Sequence, residues 1–193
     1  MQGADAARRW GQAMAVRLLL IAAVAPAGAQ FPADPPAAPG PLSRVRPLER
    51  PGQAVSSPLL RARQTAAALG LQPVIEPALA EVDFGAWRGQ SPEAVLQGDP
   101  AGFARWHADP AQAPHGGESF AAMSARVIDW LARIAGQAGT LVAVSHPGPM
   151  QAALLHVLGA GTAEAGRIGV GSLSRLQLSH DGRRWSVVLP AGA

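Results

Sequence analysis

The chain of 193 residues contains no cysteine and no lysine. Without cysteine there is no disulfide framework, no thiolate nucleophile and no zinc–cysteine site. All 16 basic residues are therefore arginine; they are spread along the chain, and the formal net charge is only +3. A nucleic-acid-binding surface needs clustered positive charge, so the sequence does not favour a nucleic-acid partner. Internal repeats are also absent, and the length suits one domain with a sizeable core.

Two predictions compete at the N-terminus. The apolar run Val16–Ala22 can form a central parallel strand, buried on both faces. Residues 1–15 are then a tail, residues 16–190 form a single domain, and the protein is cytoplasmic. Alternatively, a basic start, an apolar stretch and small residues near Ala29 form a secretory signal peptide. The two predictions exclude each other, because cleavage after Ala29 removes the strand, and neither includes a membrane-spanning segment.

Apolar runs alternate with helical patterns over the rest of the chain, which is typical of an α/β fold. Residues 31–53 are rich in proline and are expected to form a loop. A helical apolar stripe runs from 120 to 134, and residues 173–189 alternate like two strands joined by a turn. We therefore expect a three-layer α/β/α sandwich with a mostly parallel central sheet, in which Val16–Ala22 and Leu141–Val144 lie side by side.

Arg61 and His146 stand where an anion can bind. Arg61 follows a Ser-Ser-Pro turn at the start of a helix that Pro58 can open, and its planar guanidinium suits a phosphate. A solvated arginine at a helix start is the alternative. His146 directly follows a buried strand and precedes a helix, at the edge where open α/β sheets bind anions.

Two acids, Glu81 and Asp83, lie among large apolar groups. Burial beside Phe84 and Trp87 would raise the pKa of a carboxyl group, as a general acid requires. The alternative is that one of the acids pairs with Arg88.

Four motifs together resemble those of the histidine phosphatase (phosphoglycerate-mutase-like) superfamily. They are the Ser-Ser-Pro-Leu-Leu-Arg-Ala-Arg-Gln-Thr-Ala stretch around Arg61, Glu81 before Asp-Phe-Gly, Gly-Gly-Glu-Ser at 116–119, and Ser-His at 145–146. Their order and spacing are those of the family, and the chain is most similar to the small bacterial branch that includes α-ribazole phosphatases.

The resemblance implies a role for each matching residue. Arg61 and His146 would hold the phosphoryl oxygens, and Glu81 would protonate the leaving group, with no metal or cofactor. Ser57 is expected to join the phosphate contacts at the rim of the cleft, together with the turn 115–119. The ligand would be a phosphorylated small molecule; the sequence contains no signal for the oligomeric state.

The family's first motif, Arg-His-Gly at the end of the first strand, is missing. The chain has Ala22 and Ala23 where the arginine and the nucleophilic histidine should stand, and no histidine precedes His107. Loss of a covalent nucleophile costs on the order of 10⁴ to 10⁶ in rate. Two hypotheses follow: a protein that binds phosphate esters with little or no hydrolysis, or a phosphomonoesterase that uses another nucleophile, such as water or His146.

Overall fold

The computed structural model describes residues 16–49 and 52–189, and the strands of this part form one six-stranded sheet. In chain order they are β1 (Val16–Ala22), β2 (Gln53–Ser56), β3 (Val74–Ile75), β4 (Gly139–Ser145), β5 (Arg175–His180) and β6 (Trp185–Val187). The sheet order is β3-β2-β4-β1-β5-β6. The first four strands pair in parallel, and β5 and β6 pair antiparallel with their neighbours. The predicted mostly parallel sheet is confirmed.

Helices cover both faces of this sheet. The helices of the described residues are α1 (Pro39–Leu42), α2 (Leu60–Ala68), α3 (Pro92–Gly98), α4 (Pro100–Ala108), α5 (Phe120–Ile134) and α6 (Pro147–Leu158), of which α2, α5 and α6 pack on the sheet. Buried residues of α5 and α6 form one apolar cluster with the sheet, and buried residues of α2 form a second cluster with β1 and β4. The two clusters lie on opposite faces, so the predicted three-layer α/β/α sandwich is also confirmed.

Strand β1 occupies the centre of the sheet, between β4 and β5. Its residues Leu18, Leu20 and Ile21 are at most 1% exposed, which agrees with a strand covered on both faces. Ala29 lies in the segment after β1, so cleavage there would remove a strand that is hydrogen-bonded along both edges. Residues 1–15 lie outside the described residues, and export stays a prediction. Within the described residues, no helix is long and apolar enough to cross a membrane.

The proline-rich loop before β2 is held by specific contacts. In its described residues, 31–49 and 52, the one helical turn is α1. The backbone of Phe31 exchanges hydrogen bonds with Gly89 and Gln90, and its ring lies 4.9 Å from that of Phe84. Further along the loop, Asp34 Oδ1 accepts a hydrogen bond of 2.6 Å from Leu60 N and so caps α2 from outside the helix. The loop therefore fixes the helix that carries Arg61.

Helix α2 begins later than the sequence suggested. Leu59 is its N-cap residue, with extended backbone angles, so Pro58 precedes the helix instead of opening it. The physical reason is a side-chain turn, in which Ser57 Oγ accepts a hydrogen bond of 3.2 Å from Leu59 N. Strand β5 also starts later than predicted, because Leu173 has a left-handed φ of 61° that a strand cannot contain.

The sheet register brings three strand ends to one edge. Ala22 of β1 lies opposite Ser145 of β4, and Ser56 of β2 lies opposite Val144. The residues that follow these strands therefore leave the sheet side by side. This edge carries the candidate site.

Candidate functional site

Ser57 and His146 meet at this edge although 89 residues separate them in sequence. Ser57 N donates a hydrogen bond of 2.9 Å to Val144 O, which ties the end of β2 to β4. Ser57 Oγ and His146 Nε2 are hydrogen-bonded at 2.8 Å. Both residues are 0% exposed, so Ser57 lies beneath the cleft and not at its rim, where the sequence had placed it.

Arg61 is buried instead of solvated. It is the second residue of α2 and is only 3% exposed. Its Nη2 lies 4.0 Å from Glu81 Oε2, while Nη1 has no hydrogen-bond partner among the described residues. Burial lowers the pKa of the guanidinium, and the nearby Glu81 carboxylate opposes that shift.

Glu81 is the acid that the fold buries. Its side chain is 9% exposed; Oε1 accepts a hydrogen bond of 3.0 Å from Val82 N, and Oε2 accepts one of 3.4 Å from Gly148 N at the start of α6. Burial raises the pKa of this carboxyl above its usual range, although Arg61 and these N–H groups act against the rise. A side chain at position 148 would collide with the carboxylate, so glycine permits the close approach.

Asp83 follows the other alternative and pairs with Arg88. Asp83 Oδ1 accepts a hydrogen bond of 2.8 Å from Arg88 Nε, and both side chains are about half exposed. The hydrogen bond from Arg88 lowers the pKa of Asp83. The predicted buried carboxyl group with a raised pKa is therefore Glu81, and the predicted partner of Arg88 is Asp83. Of these two acids, only Glu81 has the raised pKa of a proton donor.

His146 lies in an environment that disfavours its positively charged form. Burial holds its pKa well below the ordinary value, and the positive charges of Arg61 and Arg126 lower it further. Its Nδ1 is buried and has no partner among the described residues. His146 is also the N-cap residue of the twelve-residue helix α6, whose N-terminus favours negative charge.

Ala22 is the last residue of β1, and Ala23 follows it beside Ser145. Ala23 N donates a hydrogen bond of 2.7 Å to Ser145 O, the carbonyl just before His146. Ala23 is 5% exposed and belongs to the apolar cluster that contains Ala62 of α2. The next residue, Val24, donates from its N–H to Thr65 Oγ1 at 3.0 Å, which joins this segment to α2.

Sequence reasoning missed Arg126, which braces the Glu81 segment. Its Nε and Nη2 donate to the two carboxylate oxygens of Glu118 at 2.7 and 2.8 Å. Its Nη1 donates to Ala78 O at 2.6 Å, and Nη2 donates to Ala80 O at 2.9 Å. The acid of the Gly-Gly-Glu-Ser motif was an available signal, but its partner could not be read from the chain.

The turn 115–119 has two environments. His115 is 3% exposed and packs against Phe84 and Trp87, with ring centroids 5.5 and 5.0 Å away, so it belongs to an aromatic cluster and not to a rim. Residues 116–119 line an open groove of about 760 Å³ that Glu81 also borders. In the part of the chain that is described, no cluster of three His, Asp or Glu side chains is arranged to hold a metal ion.

Comparison with known sequences gives a family match. The profile of the histidine phosphatase superfamily (branch 1) matches residues 42–191. A bifunctional protein of Mycobacterium tuberculosis is 39% identical over 136 residues, which cover 66% of this chain and 37% of that protein. Phosphoserine phosphatase 1 of Hydrogenobacter thermophilus is 36% identical over 111 residues, covering 54% of this chain and 53% of that protein. The chain thus aligns with about half or less of the length of these relatives.

Solved structures share the fold over nearly the whole chain. The mycobacterial glucosyl-3-phosphoglycerate phosphatase, solved as a complex with VO3, is 26% identical with a TM-score of 0.72 and covers 90% of this chain and 97% of its own. A putative α-ribazole-5′-P phosphatase from Escherichia coli is 22% identical with a TM-score of 0.76, covering 90% of this chain and 95% of its own.

Proposed function

This chain belongs to the histidine phosphatase superfamily, and on that premise we propose that it binds phosphate esters between Arg61, His146 and Glu81 and hydrolyses them little or not at all. The observation that carries the proposal is a pair of buried nitrogen atoms, Arg61 Nη1 and His146 Nδ1, that have no partner among the described residues. A buried polar group without a partner costs about 1–3 kcal/mol. A phosphoryl group offers several oxygens to such nitrogens and would remove both costs.

The surroundings of these nitrogens favour an anion. The guanidinium of Arg61 is a planar fork that matches phosphate oxygens, and the N-terminus of α6 adds backbone N–H groups. Structures of the similar mycobacterial glucosyl-3-phosphoglycerate phosphatase contain inorganic phosphate or VO3. That protein and phosphoserine phosphatase 1 are named for small phosphorylated molecules, which supports a ligand of this class.

The end of β1 supports the loss of hydrolysis. The register sets Ala22 opposite Ser145, so Ala23 emerges next to His146, where the family resemblance expects a histidine nucleophile. Alanine has no atom that can attack phosphorus. Acid–base assistance from Glu81 contributes about 10²–10⁴-fold, which does not replace a covalent step.

Glu81 favours a second candidate function, hydrolysis with another nucleophile such as water or His146. A carboxyl group with a pKa raised by burial is suited to protonate a leaving alcohol and is not needed to bind a dianion. Under this candidate the chain would be a phosphomonoesterase in which water or His146, instead of a histidine at the end of β1, attacks the phosphorus.

We also assign the protein to the cytoplasm, since export with cleavage near Ala29 would remove β1 from the centre of the sheet. The mass of the protein isolated from its own cells tests this assignment. A chain that starts after Ala29 would contradict it.

Binding is tested by titrating the protein with inorganic phosphate in a calorimeter. Arg61→Ala should raise the dissociation constant about tenfold or more, since one hydrogen bond to a charged group contributes about 1.5–3 kcal/mol. Arg63→Ala is the matched control, because Arg63 lies on the same helix but is exposed. Equal affinities in the two variants would place the anion elsewhere.

Hydrolysis is tested with p-nitrophenyl phosphate and with intact-mass measurement for a phosphorylated enzyme. The unmodified chain should turn over near background and form no phosphoenzyme. The double variant Ala22→Arg, Ala23→His should hydrolyse measurably, with circular dichroism as the check that these buried positions accept larger side chains. Robust hydrolysis by the unmodified chain, abolished by His146→Ala, would instead establish the second candidate.

A further inference from the structure

The hydrogen bonds around Ser57 determine which nitrogen of His146 carries the proton. A neutral imidazole has one N–H donor and one bare nitrogen acceptor. Nε2 contacts Ser57 Oγ at 2.8 Å, and Nδ1 has no partner among the described residues. The state of the ring thus depends on whether the serine hydroxyl donates or accepts.

Ser57 Oγ already accepts one hydrogen bond. Leu59 N donates to it at 3.2 Å in the turn that precedes α2. The hydroxyl proton needs an acceptor, and among the described residues the one within hydrogen-bond distance is His146 Nε2. If Nε2 were protonated it would donate to Ser57 Oγ, and two buried groups would then lack partners among the described residues: the hydroxyl proton and the bare Nδ1. With the proton on Nδ1, the hydroxyl donates to Nε2 and only Nδ1–H lacks a partner.

We infer that Ser57 is a positioning residue: its hydroxyl donates to His146 Nε2 and so keeps Nδ1 protonated as a hydrogen-bond donor to a bound phosphoryl oxygen. This inference rests on the proposed function for its ligand, but the tautomer itself is independent of any ligand. Burial disfavours the charged imidazolium, so without a bound anion the ring offers a donor at Nδ1 through this tautomer.

The assignment differs from direct phosphate binding by Ser57. The serine hydroxyl is occupied by Leu59 N and His146 Nε2 and is 0% exposed. It acts through the ring. Nδ1–H and Arg61 Nη1 are two of the three buried side-chain nitrogens without a partner in the described part of the chain; the third, Nε2 of His115, belongs to the aromatic cluster. Under this assignment both nitrogens can donate to the oxygens of a bound phosphoryl group.

The test is a nitrogen-15 NMR spectrum of the histidine-labelled full chain without phosphate, in which protonated and bare ring nitrogens have distinct shifts. His146 is assigned by the signals that disappear in His146→Gln. His115 and His180 are internal references, because their Nδ1 atoms accept backbone N–H groups from Gly117 and Gly182 and must be bare.

We expect Nδ1–H for His146 in the unmodified chain and in Ser57→Thr, which keeps a hydroxyl. In Ser57→Ala the ring should shift to a mixture with Nε2–H, while the references stay unchanged. The dissociation constant for inorganic phosphate should then rise roughly three- to tenfold, because binding must first select the Nδ1–H form.

An Nε2–H ring in the unmodified chain would overturn the inference, and so would a Ser57→Ala variant that keeps Nδ1–H. Each result stands whether or not phosphate binds. Absence of phosphate binding with the expected tautomers would contradict the proposed function and leave the assignment of Ser57 to the ring intact. If Ser57→Ala also loses the His115 and His180 signals, that variant is misfolded. The tautomer is then read from the spectra of the unmodified chain and of Ser57→Thr, both of which should show Nδ1–H.

Discussion

Replacing Arg126 by alanine should destabilise the fold by about 3 kcal/mol. The guanidinium donates to both oxygens of Glu118 and to the carbonyls of Ala78, Ala80 and Glu81. Hydrogen bonds from a charged donor contribute about 1.5–3 kcal/mol each when buried. Because this side chain is 25% exposed, water can hydrogen-bond to some of the acceptors in the variant, and the destabilisation per bond is smaller. We assign about 1 kcal/mol each to the bond to Ala78 O, the bond to Ala80 O and the ion pair with Glu118, which gives the total of about 3 kcal/mol.

The assay is urea unfolding followed by circular dichroism. With a slope of about 2 kcal/mol per molar urea, the midpoint should fall by roughly 1.5 M. Arg133→Ala is the matched control, since Arg133 lies two turns further along α5, is 58% exposed and contacts Glu76 at 3.4 Å. An exposed pair of this kind is worth about 0–1 kcal/mol. Similar midpoints for the two variants would refute the bracing role of Arg126.

Two further predictions concern groups next to the site. Gly148→Ala should destabilise the fold by about 1–3 kcal/mol in the same assay, because the new Cβ meets the Glu81 carboxylate, whereas Gly98→Ala, with open space around it, should not. For His146, burial lowers the folded-state pKa, so the unfolded chain binds its proton first and the free energy of unfolding falls as the pH drops below the ordinary value of 6.5. His146→Gln should reduce that fall between about pH 6.5 and 5; a variant with the same pH slope as the unmodified chain would contradict the assignment.

Local patterns predicted the elements because each depends on neighbours in sequence. The apolar run of β1 and the stripe of α5 have the periods of a buried strand and an amphipathic helix, and both were found. Deviations came from contacts across the fold. Asp34 caps α2 from 26 residues away, and Ser57 holds the preceding turn outside the helix.

By itself, the sequence determined the order of strands and helices, the α/β class and the residues Arg61, Glu81 and His146 as candidates for an anion site. Only the tertiary structure decided that Glu81 and not Asp83 is buried, that Arg61 is shielded from water, and that Ser57 bonds to the histidine ring. The reason is that burial and hydrogen-bond partners depend on sheet register and helix packing. Sheet register and helix packing bring together residues that are tens of positions apart in sequence, and such contacts cannot be predicted from patterns of neighbouring residues.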